Sequence, residues 1–124
     1  MADINTVAKQ FTDYYYSTFD NNRAQLANLY KDVSMLTFEG TPILGGNSIT
    51  EKLVSLPFQK VAHQVSTLDA QPSNPTTGSI LVNVTGKLLI DEEQNPQQFS
   101  QTFNLIPEGG SYWVYNDIFR LNYG

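Results

Sequence analysis

Phe99-Ser100-Gln101-Thr102-Phe103-Asn104-Leu105-Ile106-Pro107-Glu108-Gly109-Gly110-Ser111-Tyr112-Trp113-Val114-Tyr115-Asn116-Asp117-Ile118-Phe119-Arg120-Leu121 reads as one long β-hairpin. Residues 99–106 form the first strand and 112–121 the last. Glu108-Gly109-Gly110 supplies the turn, because glycine enters the left-handed backbone that tight hairpins need. In the last strand Trp113, Tyr115 and Phe119 are read on one face, with Tyr112, Val114 and Ile118 on the other. Both faces are thus apolar. A single-layer sheet wets one face, so the second face is expected to meet another copy of the chain.

Upstream of the hairpin the β pattern continues. Ile80, Val82 and Val84 alternate with Leu81, Asn83 and Thr85, and Gly86 marks a bulge. Val61, His63, Val65 and Thr67 share one face of a further strand. Residues 72–78 are a loop, and 91–96 a connecting turn. Further upstream the period changes. Ile4, Val7, Ala8, Phe11, Tyr14, Tyr15 and Phe19 follow helical spacing, with Asp3 as cap. Asp20-Asn21-Asn22 breaks that helix. Asn22 caps a second short helix carrying Leu26, Leu29 and Tyr30, with Gln25 as its capping-box partner. Residues 34–38 form a short strand, and 40–46 hold turns. A third helix starts at Asn47 or Ser48, with a box from Ser48 to Glu51, and Pro57 stops it. Helices first and adjacent strands after them predict an α+β fold, with an antiparallel sheet wrapped over the helices.

Composition narrows the function. The chain has 124 residues, a net charge of -5 and no cysteine. That length suits one domain, 1–124, with a core that needs no staples. Disulfides, thiol catalysis and cysteine–zinc sites are excluded. No lysine or arginine cluster offers a phosphate backbone a footing, so neither nucleic acid nor an anionic membrane surface is an expected partner. No signal-peptide pattern and no apolar run of membrane-spanning length occurs. Asn83-Val84-Thr85 matches a glycosylation pattern by chance, inside a strand.

Little in the chain speaks for catalysis. Gly45-Gly46 and Gly109-Gly110 lack the lysine and spacing of a phosphate loop. One histidine excludes a two-histidine metal site, and no cofactor is expected. His63 with Asp117 across the sheet could form an acid–base pair, the basis of a rival reading as a small-molecule isomerase or dehydratase. The plain reading of His63 is a half-buried strand residue, and that of Asp91-Glu92-Glu93 a solvated turn. More informative is acid placed beside aromatic and apolar groups. Glu39 follows Phe38, and Asp91-Glu92-Glu93 follows Leu88-Leu89-Ile90. Such a surface suits a partner's apolar anchor with basic neighbours.

Four unbroken strings carry a family resemblance: Phe19-Asp20-Asn21-Asn22-Arg23, Leu36-Thr37-Phe38-Glu39-Gly40, Glu51-Lys52-Leu53-Val54-Ser55-Leu56-Pro57-Phe58-Gln59-Lys60 and Asn116-Asp117-Ile118-Phe119-Arg120-Leu121. With them the chain, from Ile4 to Tyr123, closely resembles the nuclear transport factor 2 family. The resemblance implies a cone-shaped fold, a curved sheet against three N-terminal helices, dimerised through the sheets. It implies a non-enzymatic import carrier for the GTPase Ran in its GDP form. A phenylalanine of Ran would enter a cavity lined by Phe38, Leu56, Phe58, Val61, Ile118 and Phe119, with Lys60 beside it. Glu39, Asp91 and Glu93 would pair with basic residues of Ran at the rim. Phenylalanine-glycine repeats of nucleoporins would bind at Ile4, where animal members carry tryptophan. Residence in cytoplasm and nucleus, concentrated at the nuclear pore, follows from the same resemblance.

Overall fold

The computed structural model describes residues 3–57, 60–91 and 95–122. Helix α1 (Ile4–Asn21) buries Val7, Ala8, Phe11 and Tyr15, the apolar stripe set by helical spacing. Asp3 stands at its cap position in extended backbone. Its carboxylate accepts from the Thr6 hydroxyl (3.2 Å), not from a backbone N–H. A short 3-10 helix (Arg23–Leu29) follows and buries Leu26. Asn22 starts it with its carbonyl, which accepts from the Gln25 N–H (3.1 Å), so the expected side-chain cap is not made.

Strand β1 (Tyr30–Phe38) begins four residues before the strand read from sequence. Strand β2 (Thr41–Leu44) occupies the segment expected to hold only turns. Between them Glu39 and Gly40 both have positive φ, 52° and 87°, as a two-residue hairpin turn requires. Helix α2 (Gly46–Val54) begins with Gly45 as cap, whose carbonyl accepts from the Ile49 N–H (2.9 Å). Ser48 therefore lies inside the first turn, and no side-chain cap from it is made.

Four long strands complete the chain: β3 (Val61–Asn74), β4 (Ser79–Ile90), β5 (Gln97–Glu108) and β6 (Ser111–Asn122). They form one six-stranded sheet with order β2-β1-β6-β5-β4-β3. The expectation of an antiparallel sheet is corrected at one place: β1 pairs with β6 in parallel. A returning chain must add its last strand beside its first, and both run the same way. All other neighbours are antiparallel. The concave face of the curved sheet holds the core. Val82 and Val84 of β4 and Phe99, Phe103 and Leu105 of β5 are fully buried.

Two bulges change which side chains point inward. In β3 the register passes from Val65↔Gly86 to Thr67↔Thr85, so one residue is extra. Val61 and His63 face the core, Thr67 does not, and Leu68 and Ala70 take over. Gly86 is the flat place opposite that bulge. A Cβ there would meet the Gln64 carbonyl oxygen at 2.3 Å and the Phe99 ring at 3.1 Å. In β6 the register passes from Asn104↔Asn116 to Leu105↔Val114, making Tyr115 extra. Val114, Asp117 and Phe119 are consequently buried together, while Ile118 is 50% and Tyr115 41% exposed. The sequence reading had put Val114 with Ile118 on one face and Phe119 on the other; a bulge inverts the alternation beyond it.

Candidate functional site

The helices do not fill the wide end of the sheet. A cavity opens there, with about 560 Å³ of empty space when the part open to solvent is counted, and its wall is almost wholly apolar. Phe38, Leu56, Val61 and Phe119 line it, as expected. The rings of Phe38 and Phe119 stack at 5.0 Å, and Phe119 stacks on Phe99 at 5.7 Å. The ammonium of Lys52 lies 5.5 Å from the centre of the Phe38 ring, within cation–π reach. Ile118 does not belong to this wall: the β6 bulge turns it to the outer face. Phe58 and Glu93 lie outside the described residues.

Other lining residues were missed. Leu88 and Ile90 come from β4, where inward alternation continues past Gly86. That period was legible, but nothing in it marked an unfilled space. Tyr15 and Phe19 reach the wall from α1, and Leu53 from α2, as continuations of helical stripes.

Glu39 and Asp91 adjoin the cavity wall in sequence and are held by the same device. Each follows a lining residue in sequence, Phe38 and Ile90. Each has φ 52°, and among the described residues no other non-glycine residue has positive φ. Such backbone is costly for a residue with a Cβ and is found where surrounding contacts enforce it. The Glu39 N–H donates to the Phe119 carbonyl (3.1 Å), and its carboxylate accepts from the Leu121 N–H. Asp91 donates its N–H to the Lys60 carbonyl (2.6 Å) and accepts the Lys60 N–H (2.8 Å). Each acid thus closes the end of a strand ladder. The side chain of Lys60 is on the exposed side of that closure. Ile4, half-buried in the first turn of α1, packs against the core and is not part of the cavity wall.

The rival His63–Asp117 pair is not formed. The His63 Nδ1 lies 2.6 Å from Asp20 Oδ1, and the His63 backbone N–H donates to Asp20 Oδ2 (3.0 Å). Tyr16 stacks on the imidazole at 4.6 Å. Asp117 is fully buried and held by neutral donors: the Tyr30 hydroxyl (2.7 Å), Gln101 Nε2 (2.8 Å) and, more weakly, the Tyr15 hydroxyl (3.4 Å). Burial raises its carboxyl to about 6, and those hydrogen bonds pull the other way. Burial also raises Tyr15, Tyr16 and Tyr30 well above the ordinary phenol value. With its lone pairs engaged, Asp117 is poorly placed to take a proton from a ligand. Among the described residues no group of three or more acids or histidines could hold a metal ion, and no helix is long and apolar enough to cross a membrane.

A sheet curved round helices thus leaves an apolar cavity at one end, with Glu39 and Asp91 each next in sequence to a lining residue. The nuclear transport factor 2 (NTF2) domain model matches residues 7–121. Nuclear transport factor 2 of Candida glabrata is 65% identical over 121 residues, covering 98% of this chain and 96% of its own. That of Schizosaccharomyces pombe is 60% identical over the full length of both. The solved structure of nuclear transport factor 2 from Cryptosporidium parvum superposes with TM-score 0.90 at 44% identity, covering 96% of this chain and 94% of its own. The chain belongs to the nuclear transport factor 2 family. Its relatives are named as transport factors, not enzymes, and support a role in nuclear transport.

Proposed function

We propose that this chain is a single-domain, non-enzymatic carrier that works as a homodimer, binds Ran in its GDP form and carries it into the nucleus through contacts with phenylalanine-glycine nucleoporins. The observation that carries the reading is the apolar cavity edged by Glu39 and Asp91 in enforced left-handed backbone. An aromatic side chain of Ran would enter between the Phe38–Phe119 stack and the wall of Leu56 and Val61. Burying such a side chain contributes roughly 1.5–3 kcal/mol. Asp91 is exposed and Glu39 half-buried, so the native rim pairs act mainly on orientation and encounter, whereas a reversed charge there would repel the basic residues of Ran. Discrimination for GDP would lie in the partner's switch loops, which rearrange with the γ-phosphate. The second contact, at Ile4, is a smaller apolar patch than tryptophan would make.

Titration calorimetry with Ran loaded with GDP, and separately with a GTP analogue, tests the reading. Binding of the GDP form alone is expected, and Glu39→Lys should abolish it while leaving the fold intact. Ile4→Ala should weaken repeat binding and spare Ran. Failure of both nucleotide forms to bind would discard the carrier reading.

A further inference from the structure

Among the described residues, one side-chain polar atom at the cavity wall is uncommitted. Tyr15, Gln101 and His63 bring polar groups to its wall. The hydroxyl of Tyr15 is engaged by Tyr30 (2.7 Å) and Asp117. Gln101 is used at both ends: its Oε1 accepts from the Tyr16 hydroxyl (2.9 Å) and its Nε2 donates to Asp117 (2.8 Å). In His63 the Nδ1 is taken by Asp20, and the side chain is only 3% exposed. Among the described residues nothing bonds its Nε2.

Asp20 also fixes which nitrogen carries the proton. An ionised carboxylate only accepts. Its Oδ2 takes the His63 backbone N–H, and its Oδ1 takes Nδ1. In the uncharged imidazole the proton therefore sits on Nδ1, and Nε2 is an acceptor. The ring is clamped as well, stacked by Tyr16 and met edge-on by Phe19 at 4.9 Å and Phe99 at 5.4 Å.

We infer that the cavity is also a small-molecule site, selective for neutral one- or two-ring aromatic compounds that carry a single hydrogen-bond donor, such as phenols, with the donor placed on His63 Nε2. Aromatic walls suit the ring, and one buried acceptor gives the orientation. Glu39 and Asp91 at the edge disfavour anions. The site uses the cavity proposed for Ran, so such a compound would compete with Ran, but its binding does not require Ran.

The test compares 2-naphthol, naphthalene and 2-naphthoate by titration calorimetry and by chemical-shift mapping, all at one pH. 2-Naphthol is expected to bind about three- to tenfold more tightly than naphthalene, the ratio for one net hydrogen bond, and 2-naphthoate more weakly than either. Shifts should centre on His63, Phe38 and Phe119. Asp20→Asn supplies the second arm. There the His63 backbone N–H claims the single amide oxygen, the amide NH₂ faces Nδ1, and the imidazole proton moves to Nε2. That variant should prefer an acceptor-bearing ring, 2-acetylnaphthalene, over 2-naphthol, and the imidazole ¹⁵N shifts should report the exchanged tautomer. Equal binding of naphthol and naphthalene to the unaltered protein, shifts centred elsewhere, or no binding at all would overturn the proposal. Ran-GDP titrated in parallel separates the two readings: Ran binding without naphthol binding overturns this one alone, and the reverse overturns the carrier alone.

Discussion

Asp117 is a buried carboxylate with no cation beside it among the described residues, held by two tyrosines and a glutamine. Its carboxyl stands at about 6, above the 3.8 of an unburied one. The folded state therefore takes up this proton at higher pH than the unfolded state does. Between about pH 6 and pH 4 the folded state holds more protons, so this group's contribution to stability rises as pH falls through that window and drops as pH climbs back to 6. The span corresponds to roughly 3 kcal/mol. Asp117→Asn removes the titration, and Gln101 can flip its amide to serve the new side chain. Urea unfolding of both proteins from pH 7 to pH 4 should show the parent gaining on the variant by about that amount as pH falls. A constant difference across the window would mean that Asp117 is not a buried anion. His63 and Asp20 illustrate what a sequence hides at this scale. They are about 40 residues apart, and the sequence reading offers Asp117, not Asp20, as the partner.

At the scale of elements, the strand bulges control which residues meet the cavity. Gly86 is tied to the first of them by space, since a Cβ there would sit 2.3 Å from the Gln64 carbonyl oxygen. Gly86→Ala should cost about 1–3 kcal/mol, read as a lower denaturation midpoint at unchanged slope. Gly109→Asn, in the β5–β6 turn where φ is 59°, should cost well under 1 kcal/mol, because asparagine enters that backbone readily. If both substitutions cost the same, the crowding argument fails. The inward alternation of β4 and β5 was legible because period two persists through Ile80, Val82 and Val84, and through Phe99, Gln101, Phe103 and Leu105. The β6 bulge was not, since one extra residue leaves no mark on composition. The family resemblance places Ile118 in the cavity wall, and the bulge turns it to the outer face instead. Strand β2 was missed because four residues with a proline look like a turn until β1 lies beside them.

For the whole molecule, the outer face of the sheet is divided. Across β3, β4 and β5 it is mixed: Thr67 is bonded to Thr85 and Thr102 to Asn83 (3.0 Å), while Leu89 is exposed. Toward β1 and β6 it is apolar, where Met35, Tyr115 and Ile118 are exposed. An exposed apolar patch of that kind is where the proposed second copy would pack. Ile118→Asp should shift sedimentation at micromolar concentration toward a monomer, and Ile118→Ala should leave 2-naphthol affinity within twofold. Unchanged sedimentation of the aspartate variant would move the dimer contact elsewhere on the surface.

The parallel pairing of β1 with β6 joins residues about 80 positions apart, Phe38 beside Phe119. A chain emerging from the ribosome has made its helices and β1 long before the strand that belongs next to them exists. Until β6 clears the exit tunnel, β1 carries an unpaired edge, and the stack of Phe38 on Phe119 cannot form. Pairings this distant close slowly and leave sticky edges open meanwhile. Completion of the cavity is therefore one of the last events in the birth of the molecule, and one edge of β1 stays open from its own synthesis until β6 docks.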